Sequence, residues 1–193
     1  MPSIPNARVL IVATDGFEEW ELFGPREILQ RRGAEVVLAS LKLDPIQATV
    51  HDDLGKTLRP DLTIDHANAD DFDALILPGG VRNPDQLRLH GNVIALIRAF
   101  AERGKPIGAI CHGPWLLVEA DLIRGKTVTS WPSIRTDLRN AGGNVVDQAA
   151  VTNGNIVTSR NPDDVEAFTS ALIDLVQSRP EISKIRHPHE IPA

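Results

Sequence analysis

The sequence has very little cysteine, few aromatic residues and no long apolar run. Cys111 is its only cysteine, which excludes a framework of internal disulfides and a cysteine-based zinc site. No run approaches the roughly 18 apolar residues of a membrane-spanning helix, so we expect no membrane association. The apolar run at residues 9–13 is too short for the core of a signal peptide. We therefore expect a cytoplasmic protein with a reduced thiol.

Basic residues are outnumbered by acidic ones. The 193-residue chain has 20 Lys and Arg against 26 Asp and Glu, a formal net charge of −6. This balance indicates no nucleic-acid partner. The sequence also has no glycine-rich nucleotide motif and no His/Cys cluster typical of a metal site, so we expect neither a cofactor nor a metal.

Short apolar runs alternate with longer amphipathic segments, a pattern typical of a mostly parallel sheet covered by helices on both faces. The expected strands are residues 8–14, 35–40, 74–77, 106–110, 127–130 and 156–159, and the expected helices 18–32, 92–103, 115–122 and 162–177. Residues 46–64 break the alternation and are predicted to form a small hairpin excursion. Pro25 is expected to kink or divide the first helix. We predict one α/β domain at residues 1–178, followed by a proline-rich arm at 179–193.

Cys111 lies where a predicted strand turns into a helix, with small residues two positions away on either side, Ala109 and Gly113. This pattern is typical of a nucleophile elbow, with cysteine in place of the usual serine. An elbow directs the sulfur into the cleft at the strand ends and places it at a helix N-terminus, which favours the thiolate. The alternative is a small buried hydrophobic residue without chemistry.

Three further groups stand near the same predicted cleft. His112 follows the cysteine, but neighbouring side chains on a sharp turn can point apart, so their spacing alone leaves contact open. Gly79 and Gly80 allow backbone N–H groups to approach a substrate closely. Glu18 opens the first helix, where it either complements the helix dipole or, if protonated, donates a hydrogen bond to the thiolate.

Three segments together resemble the signature of the PfpI-type intracellular cysteine proteases and the related protein deglycases, in the class I glutamine amidotransferase-like superfamily. The segments are DGFE at residues 15–18, LILPGG at 75–80 and AICHGPWLL at 109–117. The order and approximate spacing of the elements agree from residue 8 to about residue 176. The CHGP segment is specific to this group, whereas PGG is common in α/β proteins.

The resemblance implies a flavodoxin-like three-layer sandwich and assigns roles to individual residues. Cys111 would be the nucleophile, Glu18 the protonated partner of its thiolate, and His112 the general base and an oxyanion donor. Gly79, Gly80 and Gly113 would supply the oxyanion and substrate-binding backbone. In the family's proteases an acidic residue from a neighbouring subunit orients the histidine, and Asp85 is the matching residue here.

The resemblance implies a homodimer or a larger homo-oligomer with the active site near the interface. Trp20 and Trp131 are candidate interface or pocket residues, with ordinary core packing as the alternative. The leading hypothesis is a cysteine-dependent hydrolase of the stress response, acting on small carbonyl compounds such as methylglyoxal, on glycated amines, or on peptides. A redox-sensing or chaperone-like protein whose cysteine oxidises is the second hypothesis. An isocyanide hydratase-like enzyme is a third.

Overall fold

A computed structural model describes residues 4–179, which contain one seven-stranded sheet and two smaller ones. The strands are β1 (Arg8–Val12), β2 (Phe17–Glu18), β3 (Glu35–Ser40), β4 (Ile46–Val50), β5 (Asp53–Leu58), β6 (Leu62–Thr63), β7 (Ala74–Leu77), β8 (Ile107–Ile110), β9 (Thr127–Val128), β10 (Asn144–Val145), β11 (Ala150–Asn153) and β12 (Ile156–Ser159). The main sheet has the order β11-β12-β8-β7-β1-β3-β6. All of its pairs are parallel except the edge pair of β11 with β12.

Helices cover both faces of this sheet. They are α1 (Glu19–Arg31), α2 (Arg82–Leu87), α3 (Gly91–Glu102), α4 (Pro114–Glu119), α5 (Arg135–Asn140) and α6 (Val165–Gln177). Side chains of β1 alternate between two buried clusters: Leu10 lies with α3, α4 and α5, whereas Ile11 lies with α1 and α6. The predicted three-layer α/β sandwich with a mostly parallel sheet is confirmed.

The predicted excursion also forms. Strands β4 and β5 make an antiparallel hairpin that pairs with β2, and the chain then returns to the main sheet through β6. The expected division of the first helix at Pro25 is wrong, since α1 runs through this residue. Gly24 explains how α1 stays close to its neighbour: a Cβ at this position would lie 2.8 Å from the Val165 side chain of α6.

The short strands β2, β10 and β11 were not predicted, and one predicted strand lies elsewhere than in the main sheet. Strands β10 and β11 have only 2 and 4 residues and are partly exposed, so no clear hydrophobic period marks them. Strand β9 is shorter than predicted and pairs with β10 in a separate ribbon. The predicted arm at residues 179–193 lies outside the described residues apart from Arg179. In the part of the chain described, no helix is both long and apolar enough to cross a bilayer.

Parallel pairing brings the carboxyl ends of β1, β7 and β8 to one edge of the main sheet. The loops that follow these strands begin at Ala13, Pro78 and Cys111. The three predicted signature segments therefore meet at this edge, which is where ligands bind in open α/β sheets.

Candidate active site

Cys111 occupies a sharp turn between β8 and α4. Its φ is +62°, in the left-handed region that side chains with a Cβ rarely adopt. The turn is fixed on both sides, because the Cys111 N–H donates to the Ser159 carbonyl at 3.1 Å and its carbonyl accepts from the Trp131 N–H at 2.9 Å. This is the strand-to-helix geometry that the sequence predicts for a nucleophile elbow.

Gly113 closes the elbow rather than supplying a free donor. Its N–H group donates to the Ile110 carbonyl at 2.8 Å, and its predicted part in substrate binding stays a prediction. A Cβ at this position would overlap the carbonyl oxygens of Leu77 and Ile110. Glycine is therefore needed here for the close approach of the backbone.

His112 contacts the thiol, which the sequence left open. The imidazole Nδ1 lies 3.2 Å from the Cys111 Sγ, and Nε2 lies 3.1 Å from the Ser133 Oγ. Both ring nitrogens thus have partners within one chain. No sequence signal marked Ser133, because its contact depends on how residues 131–134 pack against the elbow.

Two indole rings enclose the imidazole. Trp115 meets the His112 ring edge-on at 5.3 Å between centroids, and Trp131 stacks against it at 6.1 Å. His112 is only 6% exposed, and this burial lowers its pKa to about 4. The imidazole is therefore neutral at physiological pH, with one nitrogen free to accept a proton.

The carboxyl group beside the thiol belongs to Glu21 and not to the predicted Glu18. Glu21 lies in the first turn of α1, and a Cβ added at Gly79 would lie 2.6 Å from the Cys111 Cβ and 2.7 Å from the Glu21 Oε2, so the carboxyl group and the thiol flank the same point. Glu18 is the residue before α1, and its Oε2 accepts from the His51 N–H of the hairpin turn at 3.1 Å. Both side chains are buried, but Glu18 is bonded to the hairpin turn, whereas Glu21 lies against the loop that precedes α2.

Glu21 is completely buried and bonded to the neighbouring loop. Its Oε2 accepts from the Gly79 N–H at 2.9 Å, while Oε1 has no hydrogen-bond partner among the described residues. Burial raises the pKa of Glu21 to about 8, so this carboxyl group is protonated at neutral pH. A protonated carboxyl can donate to a thiolate, which is the role that the sequence assigned to Glu18.

The two glycines of the PGG turn differ in what their N–H groups do. The Gly79 N–H donates to Glu21, and its role as an oxyanion donor stays a prediction. A Cβ at Gly79 would lie 2.6 Å from the Cys111 Cβ and 2.7 Å from the Glu21 Oε2, so this position holds the site together by its lack of a side chain. Gly80 has a φ of +72°, and its N–H group lowers the pKa of the Cys111 thiol.

The pKa of the Cys111 thiol is raised above its ordinary value, because the effects that raise it outweigh those that lower it. Burial and the negative charge of an ionised Glu21 raise the pKa of the thiol, whereas the N–H groups of Gly80 and His112 lower it. Protonation of Glu21 removes the repulsive charge and replaces it with a donor. A thiolate at this position is therefore held by the carboxyl group and two backbone N–H groups.

Asp85 does not join this cluster within the chain. It is exposed on α2, and the Nε2 of His112 is bonded to Ser133 instead. Its assignment to a neighbouring subunit's histidine stays a prediction. Among residues 4–179 there is no group of three or more His, Cys, Asp or Glu side chains placed to hold a metal ion.

The fold and the site define a class of protein: a three-layer α/β protein with a cysteine at its nucleophile elbow and a neutral histidine and a buried glutamate beside it. Residues 7–175 match the model of the DJ-1/PfpI family. The chain belongs to this family.

Curated relatives and a solved structure support the assignment. The chain is 40% identical over 172 residues to the putative cysteine protease YraA of Bacillus subtilis, covering 89% of this chain and 99% of that protein. It is 39% identical over 170 residues to a deglycase of Pyrococcus abyssi, covering 88% and 99%. A two-domain protein from Anabaena variabilis, with DJ-1/ThiJ/PfpI-like and ferritin-like domains, superposes with a TM-score of 0.84 at 34% identity. That match covers 89% of this chain and 48% of the Anabaena chain.

Proposed function

We propose that this protein is a cysteine-dependent hydrolase that acts on carbonyl compounds, with Cys111 as the nucleophile. The observation that carries the proposal is the placement of the Cys111 Sγ 3.2 Å from the His112 Nδ1, beside the protonated Glu21 carboxyl. This arrangement provides a base for the thiol proton and a donor for the resulting thiolate. The names of the relatives, deglycase and putative cysteine protease, are consistent with it.

The first chemical step is the same for each candidate substrate. The Cys111 thiol gives its proton to His112, and the sulfur forms a bond to the carbonyl carbon while the carbonyl π electrons move to oxygen. The N–H groups of Gly80 and His112, which lie beside the sulfur, are the donors closest to this developing negative charge. Neither the proton transfer to His112 nor the formation of the sulfur–carbon bond needs a metal or an organic cofactor.

The later steps differ between an aldehyde and a peptide. With methylglyoxal, the adduct is a hemithioacetal, and His112 moves a proton from the first to the second carbon to give a thioester, which water hydrolyses to lactate and the thiol. With a peptide, the C–N bond breaks, the amine leaves with a proton from His112, and water hydrolyses the acyl-enzyme. The small-carbonyl reaction is the one we propose, in a cytoplasmic stress response.

The test is turnover of methylglyoxal and of a fluorogenic peptide by the wild-type protein and by Cys111→Ser and Cys111→Ala. Loss of the nucleophile is expected to reduce turnover by about 1,000-fold or more, because a serine hydroxyl is not ionised in this site. Thermal melting of each variant provides the control for folding. Unchanged turnover in Cys111→Ala would refute the assignment of the nucleophile.

Oxidation sensing is the second candidate function, and the buried Glu21 favours it. A carboxyl group that is protonated beside the sulfur would donate a hydrogen bond to a sulfinate oxygen as it does to a thiolate. Mass spectrometry after mild peroxide treatment distinguishes the two. Stoichiometric sulfinate at Cys111 in a protein without turnover supports the sensor, whereas turnover that peroxide abolishes supports the hydrolase.

We also propose that the protein is a homo-oligomer with its active site near the interface. Trp131 beside the site and Trp20 on α1 are both exposed in the single chain, at 38% and 46%. Large exposed apolar side chains of this kind favour burial against a second copy. Sedimentation at several concentrations measures the state, and a monomer at all concentrations would contradict the proposal.

A further inference from the structure

Within residues 4–179, the polar contact on the outer side of the His112 ring is the Ser133 hydroxyl. Nδ1 faces the buried sulfur, and Nε2 lies 3.1 Å from the Ser133 Oγ. His112 is buried, whereas Ser133 is exposed. The hydroxyl group therefore stands between the buried imidazole and the solvent.

The backbone holds Ser133 in register with the nucleophile. Ser133 lies in a single 3-10 turn, Pro132–Ile134, whose preceding residue Trp131 donates its N–H to the Cys111 carbonyl at 2.9 Å. The turn is closed by the Ile134 N–H bonding to the Trp131 carbonyl, and the Ile134 side chain is buried. The sulfur and the hydroxyl group are thus fixed to the same short segment of hydrogen-bonded backbone.

We propose that Ser133 is a positioning residue that connects the thiol to solvent through a proton relay, Cys111 to His112 to Ser133. This inference rests on the proposed function, since the relay serves activation of the Cys111 nucleophile. In this proposal the contact that orients His112 comes from Ser133 of the same chain, whereas the resemblance assigns it to Asp85 of a neighbouring subunit.

The relay balances without an added co-reactant. The thiol proton moves from Sγ to Nδ1, the Nε2 proton moves to the Ser133 Oγ, and the hydroxyl proton moves to a solvent water. The ring begins as the Nε2–H tautomer and ends as the Nδ1–H tautomer, and it is neutral at both ends. Burial of the ring makes an imidazolium costly, which gives a relay of this type its advantage.

A hydroxyl group suits both ends of this step. It accepts from Nε2–H before transfer and donates to Nε2 afterwards, because serine is both a donor and an acceptor. A carboxylate in the same place only accepts and would stabilise the imidazolium instead. The neighbouring indole rings of Trp115 and Trp131 hold the plane of the ring but offer it no hydrogen bond at Nε2.

The first test compares Ser133→Ala with Ser133→Thr, which keeps the hydroxyl. With methylglyoxal, Ser133→Ala is expected to lower kcat about 10-fold, less than the roughly 100-fold or more that loss of a general base causes, with little change in KM. Added imidazole buffer at fixed pH should restore kcat in proportion to its concentration, since a small base can replace a lost relay group. Wild type and Ser133→Thr should show no such dependence.

The second test does not require turnover. In protein labelled with ¹⁵N-histidine, the His112 signals, assigned by their loss in His112→Asn, should report the Nε2–H tautomer in wild type and a mixture of tautomers in Ser133→Ala. If wild type has no turnover on methylglyoxal or peptide, the proposed function fails while this measurement still decides the contact. Identical tautomers in both proteins would overturn the relay. So would an unchanged kcat in Ser133→Ala together with a large loss in Asp85→Asn.

Discussion

The Glu21 carboxyl group accepts a hydrogen bond from the Gly79 N–H at 2.9 Å, joining the first helix to the PGG turn across 58 positions of sequence. The same side chain lies beside Cys111, since a Cβ added at Gly79 would lie 2.7 Å from the Glu21 Oε2 and 2.6 Å from the Cys111 Cβ. One buried carboxyl group of the first helix therefore lies against both the PGG turn and the turn that carries Cys111. Its removal is expected to disturb chemistry and folding together, and its protonation state governs both.

The first prediction concerns which glutamate serves the thiol. Glu21→Leu keeps the side-chain volume but removes the donor to the thiolate, and we expect kcat/KM for methylglyoxal to fall roughly 10- to 100-fold, the value of one hydrogen bond to a charged group. Glu18→Leu is the matched control, because Glu18 is bonded to the hairpin turn. It should change kcat/KM by less than about 3-fold. A larger loss in the control would restore the role predicted for Glu18.

The second prediction is the pH dependence of stability. Glu21 has a folded pKa raised from 4.5 to about 8, so its protonated form stabilises the folded state, and this contribution is lost as pH rises from about 4.5 through 8. The pKa of His112 is lowered from 6.5 to about 4 in the folded state. Its contribution to the free energy of unfolding therefore rises as pH rises from about 4 to 6.5. The two largely cancel below about pH 6.5.

Of these two groups, only Glu21 changes its contribution between about pH 6.5 and 8. The free energy of unfolding should fall there by at most about 1.4 kcal/mol per pH unit, the value for one proton. Glu21→Gln cannot ionise and should flatten this fall, whereas Glu18→Gln should leave it. Urea titrations at several pH values measure the slope, and an equal slope in Glu21→Gln would contradict a protonated Glu21.

The third prediction concerns the PGG turn. Gly79→Ala would place a Cβ 2.6 Å from the Cys111 Cβ and 2.8 Å from the His112 backbone nitrogen. Relieving such overlap is expected to cost about 1–3 kcal/mol of stability and to abolish turnover. Gly91→Ala, the first residue of α3, has no neighbour within 4 Å of an added Cβ and should lose neither stability nor turnover. Thermal melts and methylglyoxal assays on both variants test this, and equal behaviour would refute it.

The fourth prediction concerns Asp85. Its side chain is exposed on α2, so Asp85→Asn should change the free energy of unfolding by no more than about 0.5 kcal/mol. With Ser133 already bonded to the His112 Nε2, kcat should also stay within about 3-fold of wild type. Sedimentation of the variant provides the control for its oligomeric state. A loss of kcat with intact assembly would indicate that the partner's aspartate reaches the imidazole.

Much of the fold could be predicted from the sequence because its central strands are continuous apolar runs. The segments at β1, β3, β7 and β8 are buried along almost their whole length, and only parallel central strands require this. The elbow at Cys111 could be predicted as well, because sharp turns need small flanking residues. The short edge strands β10 and β11 could not, since half-exposed segments of this length have no distinctive pattern.

The identity of the buried glutamate was missed, although the sequence contains a signal for it. Positions 21, 22, 25, 28 and 29 form the buried stripe of α1 at helical spacing, and Glu21 is the charged residue within it. A carboxyl group in an apolar stripe indicates a protonated or bonded side chain. The hydrogen bond from the Gly79 N–H to Glu21 and the contact of Ser133 with His112 depend on tertiary packing, so no sequence pattern indicates them.

The left-handed backbone at Cys111 implies a trade between durability and reactivity. Glycine is the residue that this conformation suits best, and a side chain there costs about 1–3 kcal/mol. Selection for stability alone would therefore favour glycine in place of Cys111, with loss of the thiol. A variant engineered for thermal stability with glycine at position 111 would accordingly be more stable and inactive.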